Sequence, residues 1–161
     1  MIYLKDLLLT DAFLIKGHIN TANQRLSSFL GNFARRFLEI EEAVVTDCVR
    51  DEVFNATRML MRVEEIIVAH EMEEIGDDGL RHLAGQERDD TVVTIQFNGA
   101  ARFQLTGRVS KRSMERDSSS PHDFLVVVAP KLVGITGKSM DVLRNLPYLI
   151  VNKSRIAFIL E

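Results

Sequence analysis

Short runs of apolar residues, broken by polar turns, dominate the chain. The stretch LLLTDAFLIKGHI predicts two extended segments around a short turn at Thr10-Asp11. In RLSSFLGNFARRFL the apolar positions Leu26, Phe29, Leu30, Phe33 and Phe37 share one helical face, which Gly31-Asn32 ends or bends. FLEIEEAVV reads as extended. DEVFNATRMLMRVEEIIVAHEM fits either one long amphipathic helix or a turn followed by two strands, MLMRV and EIIVAHE. TVVTIQFNGAARFQLTGRVS predicts a hairpin turning at Asn98-Gly99, a dipeptide suited to positive φ. KRSMERDSSSPHD is polar and predicts an exposed loop. FLVVVAPKLVG predicts a strand turning near Pro130, and KSMDVLRNLP a short helix or turn. YLIVNKSRIAFIL predicts two short strands around Asn152-Lys153-Ser154.

The two halves run in a similar order. LLLTDAFLIKGHI lies over VTIQFNGAARFQLTGRV, with Gly17 over Gly107. FLEIEEAVV lies over FLVVVAPKLVG, and LMRVEEIIVAHE over LIVNKSRIAFILE. A repeated five-strand unit selects strands over helix at 59–71. The acidic stretch between the halves, EMEEIGDDGLRHLAGQERDD, predicts a solvated linker. The expected boundaries are a first unit at 1–74, a linker at 75–90 and a second unit at 91–161.

The stretch Val92 to Gly107, VVTIQFNGAARFQLTG, resembles the first two strands of Sm-like small barrels, and Val151 to Ile159 resembles their last two. The resemblance implies a mainly β fold of two repeated Sm-like five-strand small barrels with short helices, and RNA as a ligand. Two positions depart from the family pattern: Asp123-Phe124-Leu125-Val126-Val127 has no matching Asn, and the final turn reads Lys153-Ser154-Arg155. Arg25-Leu26-Ser27-Ser28-Phe29-Leu30-Gly31-Asn32, Phe37-Leu38 with Ala43-Val44-Val45, and Val151-Asn152-Lys153 also resemble a bacterial family of uncharacterised domains, with Ser28 in place of an Asp and Gly31 inserted before the Asn, and that family implies no activity. The alternative fold is α+β with a long helix around 51–75.

Composition adds bounds. The 161 residues are 46% apolar and 27% charged, with net charge -3, so no general attraction to polyanions is expected. The single cysteine, Cys48, excludes an internal disulfide and reads as a small hydrophobe. Lys5, Asp6 and Asp11 interrupt the first apolar run, so a signal peptide, a membrane span or membrane partner is not expected, and a cytoplasmic location is.

Candidate chemistry is sparse. Gly137-Lys138-Ser139 ends like a phosphate loop, but Leu132 stands where its first glycine belongs, so a strand-to-turn connection is expected. His70 opens HEMEE rather than a zinc motif and reads as a surface histidine. Glu41-Glu42 and Glu64-Glu65 read as solvated turn carboxylates. Arg102, Arg108, Lys111, Arg112 and Arg116 form the densest basic group, with Phe103 nearby. No catalytic residue, metal or cofactor is assigned. The reading is a non-enzymatic interaction or assembly module whose partner is another protein or a second copy. The alternative is an Sm-like RNA or single-stranded nucleic-acid binder using those five cations.

Overall fold

A computed structural model describes residues 5–72, 90–100, 103–115, 123–135 and 137–161. Five strands come from the first half: β1 (Asp6–Leu9), β2 (Phe13–His18), β3 (Phe37–Asp47), β4 (Glu52–Arg62) and β5 (Val68–Glu71). Five come from the second: β6 (Asp90–Phe97), β7 (Gln104–Ser110), β8 (Phe124–Val133), β9 (Tyr148–Asn152) and β10 (Ile156–Leu160). Helix α1 spans Leu26–Asn32 and helix α2 spans Lys111–Glu115. Single 3-10 turns cover Val63–Glu65, Lys138–Leu143 and Lys153–Arg155.

All ten strands form one sheet in the order β10-β6-β7-β8-β9-β5-β1-β2-β3-β4, and every neighbouring pair is antiparallel. This corrects the expectation of two closed five-strand barrels. Closing the first unit would require β5 to bond β4, but the outer side of β5 is taken by β9, with Val68 opposite Val151 and Ala69 opposite Ile150. The sheet is open, and the two halves are not separate closed units. Each half nonetheless supplies five adjacent strands, ordered β5-β1-β2-β3-β4 and β10-β6-β7-β8-β9.

The α+β alternative is also overturned. Glu52–Arg62 is a strand paired along β3 from Phe37 opposite Arg62 to Asp47 opposite Glu52. Of its eleven residues only Met61 is buried, so the backbone ladder, not burial of an amphipathic face, holds it extended. The polar segment expected as a loop after β7 begins instead with α2. The 75–90 linker lies outside the described residues except for Asp90, which starts β6.

Two register shifts interrupt the ladders of the sheet. The β2–β3 register shifts around Gly17, opposite Glu42 at φ 49°, and the β7–β8 register shifts around Gly107, opposite Ala129 at φ 51°. A Cβ on Gly17 would overlap Ile40 Cγ2 and lie 3.1 Å from the Glu41 carbonyl oxygen. One on Gly107 would overlap Val127 Cγ1 and lie 3.0 Å from the Val128 carbonyl oxygen. The strands enclose two apolar clusters. One joins Leu8, Ile15, Leu38, Ile40 and Met61 of the first half with Leu26 and Leu30 of α1 and with Tyr148 and Ile150 of β9. The other joins Ile95, Leu105, Val127 and Val151 of the second half with Leu7, Leu9, Ile67 and Val68 of the first. Each cluster draws residues from both halves, so the halves share a core across the β5–β9 joint.

Candidate functional site

The five cations of the nucleic-acid reading are only partly on view. Arg102 and Arg116 lie outside the described residues. Arg108 is half-buried on β7, while Lys111 and Arg112 are exposed on α2, which follows β7 directly. Phe103, expected to stack beside them, is buried and packs on Phe97 with ring centroids 4.8 Å apart. A buried ring offers no face to a base.

His70 is not a surface residue. It is buried on β5, where its Nδ1–H donates to the Tyr148 carbonyl at 3.1 Å and its ring lies 4.6 Å from that of Tyr148. A carbonyl only accepts, so this bond puts a proton on Nδ1. Glu41, Glu42, Glu64 and Glu65 are exposed, as solvated carboxylates are. Gly137 has φ 99° and leads into the 3-10 turn Lys138–Leu143. No group of three or more His, Cys, Asp or Glu is placed to hold a metal among the described residues.

Buried charge collects at the joint instead. Asp6 and Glu71 are both buried and directly opposite each other on β1 and β5. Asp6 Oδ2 accepts from the Ile19 N–H at 3.0 Å, and Glu71 Oε1 from the Leu26 N–H at 2.7 Å. Burial pushes the Asp6 carboxyl up to about 6, against the Ile19 hydrogen bond and Lys5; the Glu71 charge adds to the rise. Beyond the opposite end of β1, Arg155 reaches from the last 3-10 turn to Asp11 Oδ2 at 2.8 Å, to Asn98 Oδ1 at 3.0 Å and to the Glu65 carbonyl at 3.2 Å. These contacts tie turns of both halves together and are structural.

The surface feature that remains is the pair of sheet edges. Among the described residues, β4 and β10 each have a neighbour on one side only. β10 reads Ile-Ala-Phe-Ile-Leu, with no charge and no proline, and leaves Phe158 50% and Leu160 55% exposed. β4 exposes Val53, Phe54 and Leu60. Edges are ordinarily protected by charge, proline or cover, because unpaired N–H and C=O groups recruit other strands. Two clefts flank β4. One, of about 420 Å³, is mainly apolar and lined by Phe13, Ile15, Phe54, Met59 and Met61 among others. The second, of about 580 Å³, mixes Phe29, Phe33 and Phe37 with Arg35, Arg36 and Arg58. Arg58 in it is bound to Glu39 at 2.8 Å, and that hydrogen bond holds the Glu39 carboxyl below the usual carboxylate range.

Sequence reasoning missed these edge residues, because a strand's edge position depends on where every other strand lies. The legible signal was the uncharged run at 156–160.

The chain matches no protein-family model, no curated protein and no solved structure. The resemblances to Sm-like proteins and to a bacterial family of uncharacterised domains are therefore withdrawn. The open ten-strand sheet argues against the first independently. No helix among the described residues is long and apolar enough to cross a membrane.

Proposed function

We propose that this chain is a non-enzymatic interaction and assembly module that joins protein partners through the edges of its sheet. The observation that carries the reading is β10, an uncharged edge strand that, among the described residues, pairs on one side only and carries two half-exposed large apolar side chains. Edge pairing supplies affinity through main-chain hydrogen bonds, and pockets for alternate side chains supply specificity. The apolar cleft beside β4 is such a pocket.

Sedimentation velocity over a wide concentration range tests this. The expected outcome is mass above that of the 18.3 kDa monomer, retained at high salt because the contact is apolar. A strict monomer that captures no protein partner overturns it. Retention of a single-stranded oligonucleotide that weakens steeply with salt, and is lost when Arg108, Lys111 and Arg112 become Ala, supports the nucleic-acid reading in its place.

A further inference from the structure

The sheet contains, at its centre, a worked example of how its own edges fit. At the joint, β5 and β9 run antiparallel with Val68 opposite Val151 and Ala69 opposite Ile150, all four buried. The Asn152 N–H donates to the Ile67 carbonyl at 3.0 Å, and Asn152 Nδ2 donates to the Ile66 carbonyl at 2.9 Å.

The free edges stand in the same positions within their halves. β9 pairs with β8 and runs into the 3-10 turn Lys153–Arg155; β4 pairs with β3 and runs into the 3-10 turn Val63–Glu65. β5 lies beside β1 and β10 beside β6. Counting from the turns, Met61 holds the place of Val151 and Leu60 that of Ile150. Phe158 holds the place of Val68, and Ile159 that of Ala69.

The side chains follow. Val68 at the joint belongs to an apolar cluster with Phe103, Leu105, Leu149 and Val151. Counted from Gly17 and from the turn after β4, the corresponding residues are Phe13, Ile15, Met59 and Met61, and these line the open 420 Å³ cleft. The cleft is the joint's cluster without its inserted strand. Phe158, half-exposed on β10, holds the place of Val68, whose side chain is buried in the joint's cluster.

Resting on the assembly reading, we propose that the occupant of the β4 edge is β10 of a second copy, added antiparallel and head-to-tail. Phe158 of one copy faces Met61 of the next, and Ile159 faces Leu60. The same register sets Glu161 opposite Arg58, a pairing of opposite charge. The two edges differ, so the contact is heterologous: each copy offers β4 to one neighbour and β10 to another.

The test uses full-length chains with Cys48→Ser as background. One carries Leu60→Cys and the other Ile159→Cys, and they are oxidised singly and mixed; residues facing each other across antiparallel strands come within disulfide reach. The expected result is a covalent dimer in the mixture and none in either single sample. Dimers in the single samples instead indicate like-with-like edge pairing and overturn the proposal. Assembly by sedimentation without a mixed disulfide overturns this register while leaving the assembly reading standing. A monomer by sedimentation overturns this proposal, and a monomer that also captures no protein partner overturns the assembly reading with it. A second pair, Met61→Cys and Phe158→Cys, is read in the same way should either first variant misfold. Phe158→Glu is expected to weaken association at least about 30-fold, as loss of a central interface residue does, with an unchanged thermal midpoint in the dilute monomer. Unchanged association in that variant overturns the proposal.

Discussion

Gly17 and Gly107 are glycines because the strands they face leave no room for a Cβ. At Gly107 the obstruction is Val127 Cγ1 together with the Val128 carbonyl, a backbone atom that cannot rotate away. Gly107→Ala is expected to destabilise the fold by about 1–3 kcal/mol, the range for overpacking a filled core, read from the midpoint of urea unfolding. Asp6 makes a different prediction. Its folded pKa of about 6 lies above its ordinary 3.8, so the folded state holds the proton over a window in which the unfolded state has lost it. Its contribution to stability is therefore highest below pH 3.8, falls as pH rises through the window, and levels off above about 6. Asp6→Asn keeps an oxygen to accept from the Ile19 N–H and removes the charge. The variant is expected to be more stable at pH 7 by up to about 3 kcal/mol, with a flatter profile between pH 4 and 6. Equal pH profiles for the two proteins count against this account of the buried carboxyl.

The turn after β9 shows how one short element positions two strands. Asn152 is buried at the end of β9. Its Oδ1 accepts from the Ser154 N–H at 3.1 Å and from Ser154 Oγ–H at 2.8 Å, while its Nδ2 donates to the Ile66 carbonyl before β5. Asn152→Ala leaves the buried Ile66 carbonyl without this donor and is expected to cost about 2 kcal/mol, measured by thermal unfolding. Asn152→Asp, which keeps the acceptor and loses the donor, is expected to recover only part. Most elements were legible at this level. The hairpin at Thr10-Asp11 is β1–β2, the Asn98-Gly99 hairpin is β6–β7, and Asn152-Lys153-Ser154 separates β9 from β10. Local pattern suffices there because alternation and turn residues act over a few positions. It did not suffice for His70, whose neighbours in sequence are ordinary but whose strand is covered by β9, 78 residues away.

Across the whole molecule, protection is set by the sheet order. The β5–β9 joint is central and fully buried, whereas β4 and β10 each lack one neighbour. In dilute solution, amide exchange is expected to be slowest at Ala69, Ile150 and Val151 and faster along both edges, since local opening needs least free energy where contacts are few. Raising the protein concentration is expected to slow exchange in β10 and in the Met59–Met61 part of β4. Edges whose exchange ignores concentration speak against assembly through them.

The alternation of apolar and polar residues, the turn dipeptides and the helical spacing of Leu26, Phe29 and Leu30 determined by themselves a mainly β chain with short helices, except around 51–75, where the same residues fit a helix or strands. They act over neighbouring residues, and a neighbouring residue is what a sequence shows. Whether the strands would close into two barrels or open into one sheet was decided only in three dimensions. The deciding contact is β5 with β9, whose hydrogen bonds any two extended segments can make. What makes that pairing specific is the set of side chains gathered on either side of it, Val68 among the residues of the second half and Tyr148 and Ile150 among those of the first. The joint occupies the side of β5 on which closure of the first unit would depend and leaves β4 and β10 at the ends of the sheet.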